Sequence, residues 1–194
     1  MKKLLAIIIL LLPTTVWASE IFSGSVAASS DYLWRGYSQN NEKVAVSGGI
    51  EVAIKGLTVG AWASQVDFED DANYEYDYYV DYSHSLNNYF GFSAGMINYN
   101  WNNVYDTINE GYFGVNVLGF SATYYQDLKD SDFNFVSGTY TIPFITLFDI
   151  SLEYGKATGF DAYQAINVSK DLGDYTFGGQ VGTEESMISI SYNF

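Results

Sequence analysis

From Ile188 to its last residue the chain alternates without a break: Ile188, Ile190, Tyr192 and Phe194 take one parity, Ser189, Ser191 and Asn193 the other. Successive side chains of a strand point to opposite faces, so such a segment sets one face against something apolar and keeps the other polar. Residues 74–83 repeat the pattern, with Tyr74, Tyr76, Tyr78, Val80 and Tyr82 on one face and Glu75, Asp77, Tyr79, Asp81 and Ser83 on the other. Twelve segments of this kind follow one another, over residues 22–36, 44–55, 57–66, 74–86, 89–99, 108–117, 120–127, 133–141, 146–155, 162–171, 175–183 and 186–194. Merging the short ones around residues 120–141 would reduce the count to ten.

The connections alternate as well. Tight turns are predicted at Lys55-Gly56, Asn87-Asn88, Leu118-Gly119, Pro143 and Gly173-Asp174, where glycine and asparagine suit two-residue hairpins and proline falls outside a central strand. Longer polar connections are predicted at 37–43, 67–73, 100–106, 128–132, 156–161 and 183–185. Short turns at one end and longer loops at the other are the asymmetry of a transmembrane barrel, whose even strand count puts both termini on the periplasmic side. No segment after the N-terminal region offers 18 consecutive apolar residues, so a spanning helix is excluded and a closed barrel is the remaining way to cross a bilayer with every backbone group paired. A soluble barrel or sandwich alternates too. Twelve strands, however, enclose more space than the ~8 whose side chains can fill a barrel, and one face here carries carboxylates, serines and glycines instead of packing residues.

The N-terminus begins Met1-Lys2-Lys3, continues with an apolar run from Leu4 to Leu12, and reaches Val16-Trp17-Ala18 after Pro13. This is the layout of a secretory signal peptide, too short for a membrane-spanning helix, and it predicts cleavage after Ala18. The predicted organisation is therefore a signal peptide over 1–18 and an outer-membrane barrel over 19–194. Removing Lys2 and Lys3 leaves 6 basic against 23 acidic side chains, a charge of −17 that excludes nucleic acid as a partner. The absence of cysteine excludes disulfides, thiolate metal sites and a lipoprotein anchor. The fold class read from the residues is all-β: an antiparallel up-and-down barrel of about twelve strands in the cell outer membrane of a Gram-negative bacterium.

The segment Ser29-Ser30-Asp31-Tyr32-Leu33-Trp34-Arg35-Gly36-Tyr37-Ser38-Gln39, followed by Gly60-Ala61-Trp62-Ala63-Ser64, resembles the Gcw family of exported bacterial proteins, also called TorF-type porins. The resemblance implies an outer-membrane barrel with a channel role, and it brings no catalytic residues with it. A terminal phenylalanine on an alternating last strand likewise resembles the signal by which outer-membrane proteins are recognised by the barrel assembly machinery.

Strand parity assigns Asp31, Arg35, Glu51, Trp62, Glu75, Asp77, Asp81, Glu110, Asp149 and Glu153 to the lumen. Pairing the first four strands about their turns brings Asp31, Gly49, Trp62 and Asp77 to one level, with Gly49 leaving room for the indole. An acidic constriction would favour cations over anions, although lumen charge can also serve only to keep an interior polar. Arg35 is expected near the outer end of the first strand, paired with an acid or with lipopolysaccharide phosphate. Asp67, Glu69, Asp70 and Asp71 offer oxygen ligands but lack the spacing of a calcium loop, so they read as a solvated surface loop, and no metal or cofactor is expected. His84, the single histidine, falls near a tight turn on the parity of the lipid-facing tyrosines, where it has no nucleophile beside it and reads as interfacial. The expected function is passive diffusion of small cations or neutral polar solutes through a narrow acidic lumen. The alternative is a barrel occluded by its own side chains with a structural, adhesive or partner-docking role, and enzymatic activity is disfavoured. Partners are outer-membrane lipid and lipopolysaccharide; the sequence leaves the oligomeric state open.

Overall fold

A computed structural model describes residues 21–69, 71–102 and 105–194. Its strands are β1 (Phe22–Ser29), β2 (Leu33–Trp34), β3 (Tyr37–Ser38), β4 (Ala45–Ile54), β5 (Leu57–Gln65), β6 (Tyr74–Asn87) and β7 (Phe90–Trp101). The chain continues through β8 (Ile108–Val117), β9 (Phe120–Asp127), β10 (Asn134–Thr141), β11 (Asp149–Ala157), β12 (Tyr163–Leu172), β13 (Tyr175–Gly182) and β14 (Ser186–Asn193). Each of the twelve long strands pairs antiparallel with its neighbours in chain order, and β1 closes the barrel against β14. Ser25 lies opposite Asn193 and Ser29 opposite Ser189, while Gly24 and Phe194 exchange backbone hydrogen bonds of 2.8 and 2.9 Å. Closure leaves no sheet edge for a second chain to pair with. The expected signal peptide lies outside the described residues.

The parity of the strands is that of a membrane barrel. Tyr74, Tyr76, Tyr78, Val80 and Tyr82 are exposed on the outside of β6, whereas Glu75 and Asp77 between them are 2 % and 7 % exposed. Ile188, Ile190, Tyr192 and Phe194 are likewise exposed on the outside. A soluble fold would invert this arrangement, because apolar area left in water forfeits its burial energy and buried carboxylates lose their hydration. His84 belongs to the outer face, with its ring 5.8 Å from Phe92 and 6.5 Å from Tyr82 in a band of aromatics at one end of the barrel.

The turns follow their residues. Lys55-Gly56 (φ 52° and 87°) and Leu118-Gly119 (φ 52° and 86°) adopt the left-handed pair that matches strand twist. At the β6–β7 turn the Asn87 carboxamide oxygen accepts from the backbone N–H groups of Tyr89 and Phe90, moving the turn one residue past its expected place. The Pro143 connection is not tight: residues 142–148 separate β10 from β11, which begins at Asp149 instead of 146. Pro143 has no N–H to give to a ladder, so pairing resumes only with the Ile142 N–H on the Ile150 carbonyl.

The first strand departs most from expectation. It ends at Ser29 and not at 36, and the chain turns into the barrel as a miniature hairpin in which Leu33 pairs with Ser38 and Trp34 with Tyr37. The turn is Arg35-Gly36 (φ 53° and 87°), the same left-handed pair that closes the tight hairpins. Tyr32 and Trp34 take one parity and Asp31 and Arg35 the other, with Leu33 the exception, which is why the segment reads as strand. As a consequence Ser25, and not Asp31, stands opposite Gly49, while Gly49, Trp62 and Asp77 occupy one row across β4, β5 and β6.

Candidate functional site

The β2–β3 hairpin lies in the lumen and reaches the far wall. Its tip residue Arg35 sits in a box of aromatic rings, with Cζ 4.2 Å from the ring centres of Trp34 and Phe135 and 5.2 Å from that of Tyr125. Nη2 donates to Glu110 Oε2 on β8 at 2.5 Å, and both side chains are almost wholly buried. The sequence places Arg35 in the lumen near the outer end of the first strand, paired with an acid or with lipopolysaccharide phosphate; the partner is an acid, but the residue stands on the hairpin and not on a strand of the wall. The Arg35-Gly36 turn points the guanidinium across the lumen. A planar guanidinium suits the setting, since it stacks on rings while donating in its plane.

The base of the hairpin is fixed on the opposite side. Asp31, 3 % exposed, accepts from the Tyr32 N–H at 2.7 Å and from Ser38 Oγ at 2.9 Å. The Tyr32 ring packs 5.2 Å from Trp62 on β5, and its hydroxyl donates to Glu75 Oε1 at 3.1 Å. Trp34 makes an edge contact with Tyr99 on β7, and Tyr37 lies 6.0 Å from Phe160 beyond β11. Outside the lumen, the Asp67 N–H donates to the Gln39 carbonyl, and the Lys43 ammonium meets Asp67 Oδ2 at 2.5 Å. That ammonium, followed by the backbone N–H of Glu69, holds the Asp67 carboxyl below its ordinary range. Asp67 and Glu69 are thus engaged with protein groups, Glu69 with Asn41 at 3.4 Å, and Asp70 lies outside the described residues. Among the described residues no three acidic or histidine side chains converge as a metal site.

The wall of the lumen is a set of carboxylates bonded by tyrosines. Tyr79 donates to Glu51, Tyr112 to Asp81, Tyr99 to Glu110 and Tyr163 to Glu153, at 3.0, 2.6, 3.2 and 2.5 Å. Two of these pairs share one construction. Glu51 stands opposite Gly60, which stands opposite Tyr79; Asp81 stands opposite Gly95, which stands opposite Tyr112. In each row the phenol crosses the glycine to reach the acid, and a Cβ on either glycine would meet that phenol at 2.2 or 2.5 Å. Further donors are Ser23 to Glu51, Trp101 Nε1 to Glu75 and Asn167 to Glu153. Asp149 shares the parity of Glu153 but lies exposed at the turn end of β11. Asp31 Oδ2, Asp77 Oδ1, Glu110 Oε1 and Arg35 Nη1 are buried without a protein partner. Such groups call for water or a solute.

Parity marks the acids, and Tyr79 on their face, but not that tyrosines donate to them. Tyr79, Tyr99, Tyr112 and Tyr163 occupy the polar parity of their strands, where a side chain with a hydroxyl tip is the signal that could have found them.

The model of a family described as "Bacterial protein of unknown function (Gcw_chp)" matches residues 16–132. No curated protein sequence matches the chain. Among solved structures, the KdgM porin superposes with a TM-score of 0.65 at 13 % identity, over 89 % of this chain and 99 % of that one. A "KdgM porin in complex with disordered oligogalacturonate" gives 0.65 at 11 % identity, over 90 % and 99 % of the two chains. A third structure, from work on the in-meso crystallization of membrane proteins, gives 0.60 at 8 % identity over 90 % and 83 %. At these identities the likeness is one of fold.

Proposed function

The chain belongs to the Gcw_chp family of bacterial proteins, and from that premise we propose that it is a narrow, non-enzymatic diffusion channel of the outer membrane that favours small cations or neutral polar solutes. One observation carries this reading. Asp31, Glu51, Glu75, Asp77, Asp81, Glu110 and Glu153 surround the lumen, and the single basic side chain inside it among the described residues is committed to Glu110. The lysines Lys43, Lys55, Lys129, Lys156 and Lys170 sit in loops and turns or on the outward parity. The lumen is therefore negative, which raises the local concentration of cations and repels anions. The KdgM porin solved with oligogalacturonate, a chain of carboxylate sugars, takes a ligand this lumen would repel. The outward apolar face supports residence in lipid, with lipopolysaccharide around the loop end, after export and cleavage at Ala18.

The test is the reversal potential of the refolded protein in a planar bilayer under a salt gradient, where cation preference is the expected result and anion preference overturns the reading. A second reading has its own observation: the hairpin tip packs against Tyr163 of β12 so closely that Gly36 has no room for a Cβ. In that reading the barrel is closed by its hairpin and serves a structural or docking role. Folded protein without conductance would favour it over the channel.

A further inference from the structure

We propose that the lumen beneath the hairpin holds a binding subsite for a small organic cation, a primary or quaternary ammonium, centred on Glu51 and Trp62. A cavity of about 290 Å³ opens at this place, walled by Ser23, Gly49, Glu51, Trp62 and Tyr79 among others. Its volume lies just below the ~300–1,000 Å³ usual for small-molecule sites, which suits a compact head group.

The cavity exists because of the register. Gly49 stands between Ser25 and Trp62 in one row, and Glu51 stands between Ser23 and Gly60 in the next. A glycine at 49 leaves the space above β4 empty, and a Cβ there would come to 3.2 Å from the indole. Ser23 Oγ donates to Glu51 Oε1 and the Tyr79 hydroxyl to Oε2, each at 3.0 Å, so both carboxylate oxygens are fixed in place while each keeps a lone pair. The two donors are neutral, and no basic side chain among the described residues reaches Glu51, so its charge is held in position without a counterion. The indole of Trp62 is fixed from the hairpin side by the Tyr32 ring, 5.2 Å away and tilted by 59°.

A preset carboxylate beside an indole and a phenol is the chemistry that recognises an alkylammonium group: the anion supplies the charge, and the rings supply electron-rich faces that stabilise the partly desolvated cation. An anion would meet Glu51 head-on. A neutral solute of the same shape would leave that charge unanswered. The inference rests on the channel reading, of which it names the preferred solute, but it is tested without conduction.

The experiment titrates the folded mature chain in detergent with choline chloride, following tryptophan fluorescence at constant ionic strength. 3,3-Dimethylbutan-1-ol, the uncharged isostere of choline, serves as comparison. Saturable binding of choline, with the isostere weaker by roughly tenfold or more, is the expected result. Glu51→Gln should bring choline down to the level of the isostere, and Trp62→Phe should remove most of the fluorescence change. Equal binding of the two ligands, unchanged affinity in Glu51→Gln, or no saturable response overturns the proposal. If the variants fail to fold, the wild-type comparison of choline with its isostere still decides. Choline binding without conductance would sustain the subsite and remove the channel, whereas cation-selective conductance without choline binding would do the reverse.

Discussion

Gly36 at the hairpin tip lies against the ring of Tyr163 on the far wall of the barrel, where an added Cβ would fall 2.6 Å from the ring carbon Cγ. The position is doubly demanding, since its φ of 87° also belongs to the region that residues with a side chain avoid. Gly36→Ala should therefore loosen the hairpin, at a backbone cost of about 1–2 kcal/mol before the steric clash is counted. The expected outcome is a larger or noisier single-channel conductance with the barrel still folded, seen as an unchanged heat-modifiable band. Wild-type conductance in a folded variant would show that the tip does not limit the path.

The Arg35–Glu110 pair gives a stability prediction. Removing one partner of a buried ion pair leaves an uncompensated charge, at a cost of about 3–5 kcal/mol, whereas removing both is often close to neutral. Arg35→Met should lower the thermal unfolding midpoint in micelles, and Arg35→Met with Glu110→Gln should recover much of the loss. A double variant as unstable as the single one would show that Arg35 contributes mainly through its three aromatic contacts.

Selectivity should follow the lumen acids. Replacing Asp31, Glu51 and Asp77 together by their amides should weaken cation preference, most visibly at low salt, because the screening length falls from ~30 Å at 0.01 M to ~3 Å at 1 M. Reversal potentials at the two salt concentrations check this.

Most of the fold was legible because a membrane barrel writes its parity into nearly every strand. Tyr74 to Ser83 and Ile188 to Phe194 announce which face meets lipid, and Lys55-Gly56 and Leu118-Gly119 announce their turns. What did not show was the hairpin. Tyr32 and Trp34 take one parity and Asp31 and Arg35 the other, as in a strand, although the segment leaves the barrel wall, and an arginine before the glycine is not the residue usually found in a two-residue turn. Gly36 inside a strand-like run was the available sign of a turn. The acids of the site were readable from parity, but the tyrosine reaching each one from a neighbouring strand depends on register, which periodicity alone does not supply.

Assembly should depend on the last residue. Phe194 completes the seam with Gly24, and we expect its deletion to reduce the amount of folded protein recovered from outer-membrane fractions. Wild-type amounts of the heat-modifiable band would contradict a role in recognition by the assembly machinery.

At the loop end, Asp67 should titrate below an ordinary aspartate, first because of Lys43 and then because of the Glu69 N–H. A depressed carboxyl contributes stability that is present above its unfolded pKa and is lost as pH falls through the folded one. The loop tether should thus persist at neutral pH and release only under strong acid. Carboxyl NMR of the wild type and Lys43→Ala should show the midpoint rising in the variant.

The hairpin leaves the barrel between β1 and β4, beside the seam where β1 meets β14, yet the residues that hold its tip, Glu110, Tyr125, Phe135 and Tyr163, come from the middle and later part of the chain. Contacts so distant in sequence carry a loop-closure cost that slows folding. The tip finds these partners only once β8, β9, β10 and β12 stand in the wall, so one of the first segments of the chain waits for later ones. A substitution at the hairpin tip should therefore disturb the packing of the lumen while leaving the strand order of the wall unchanged.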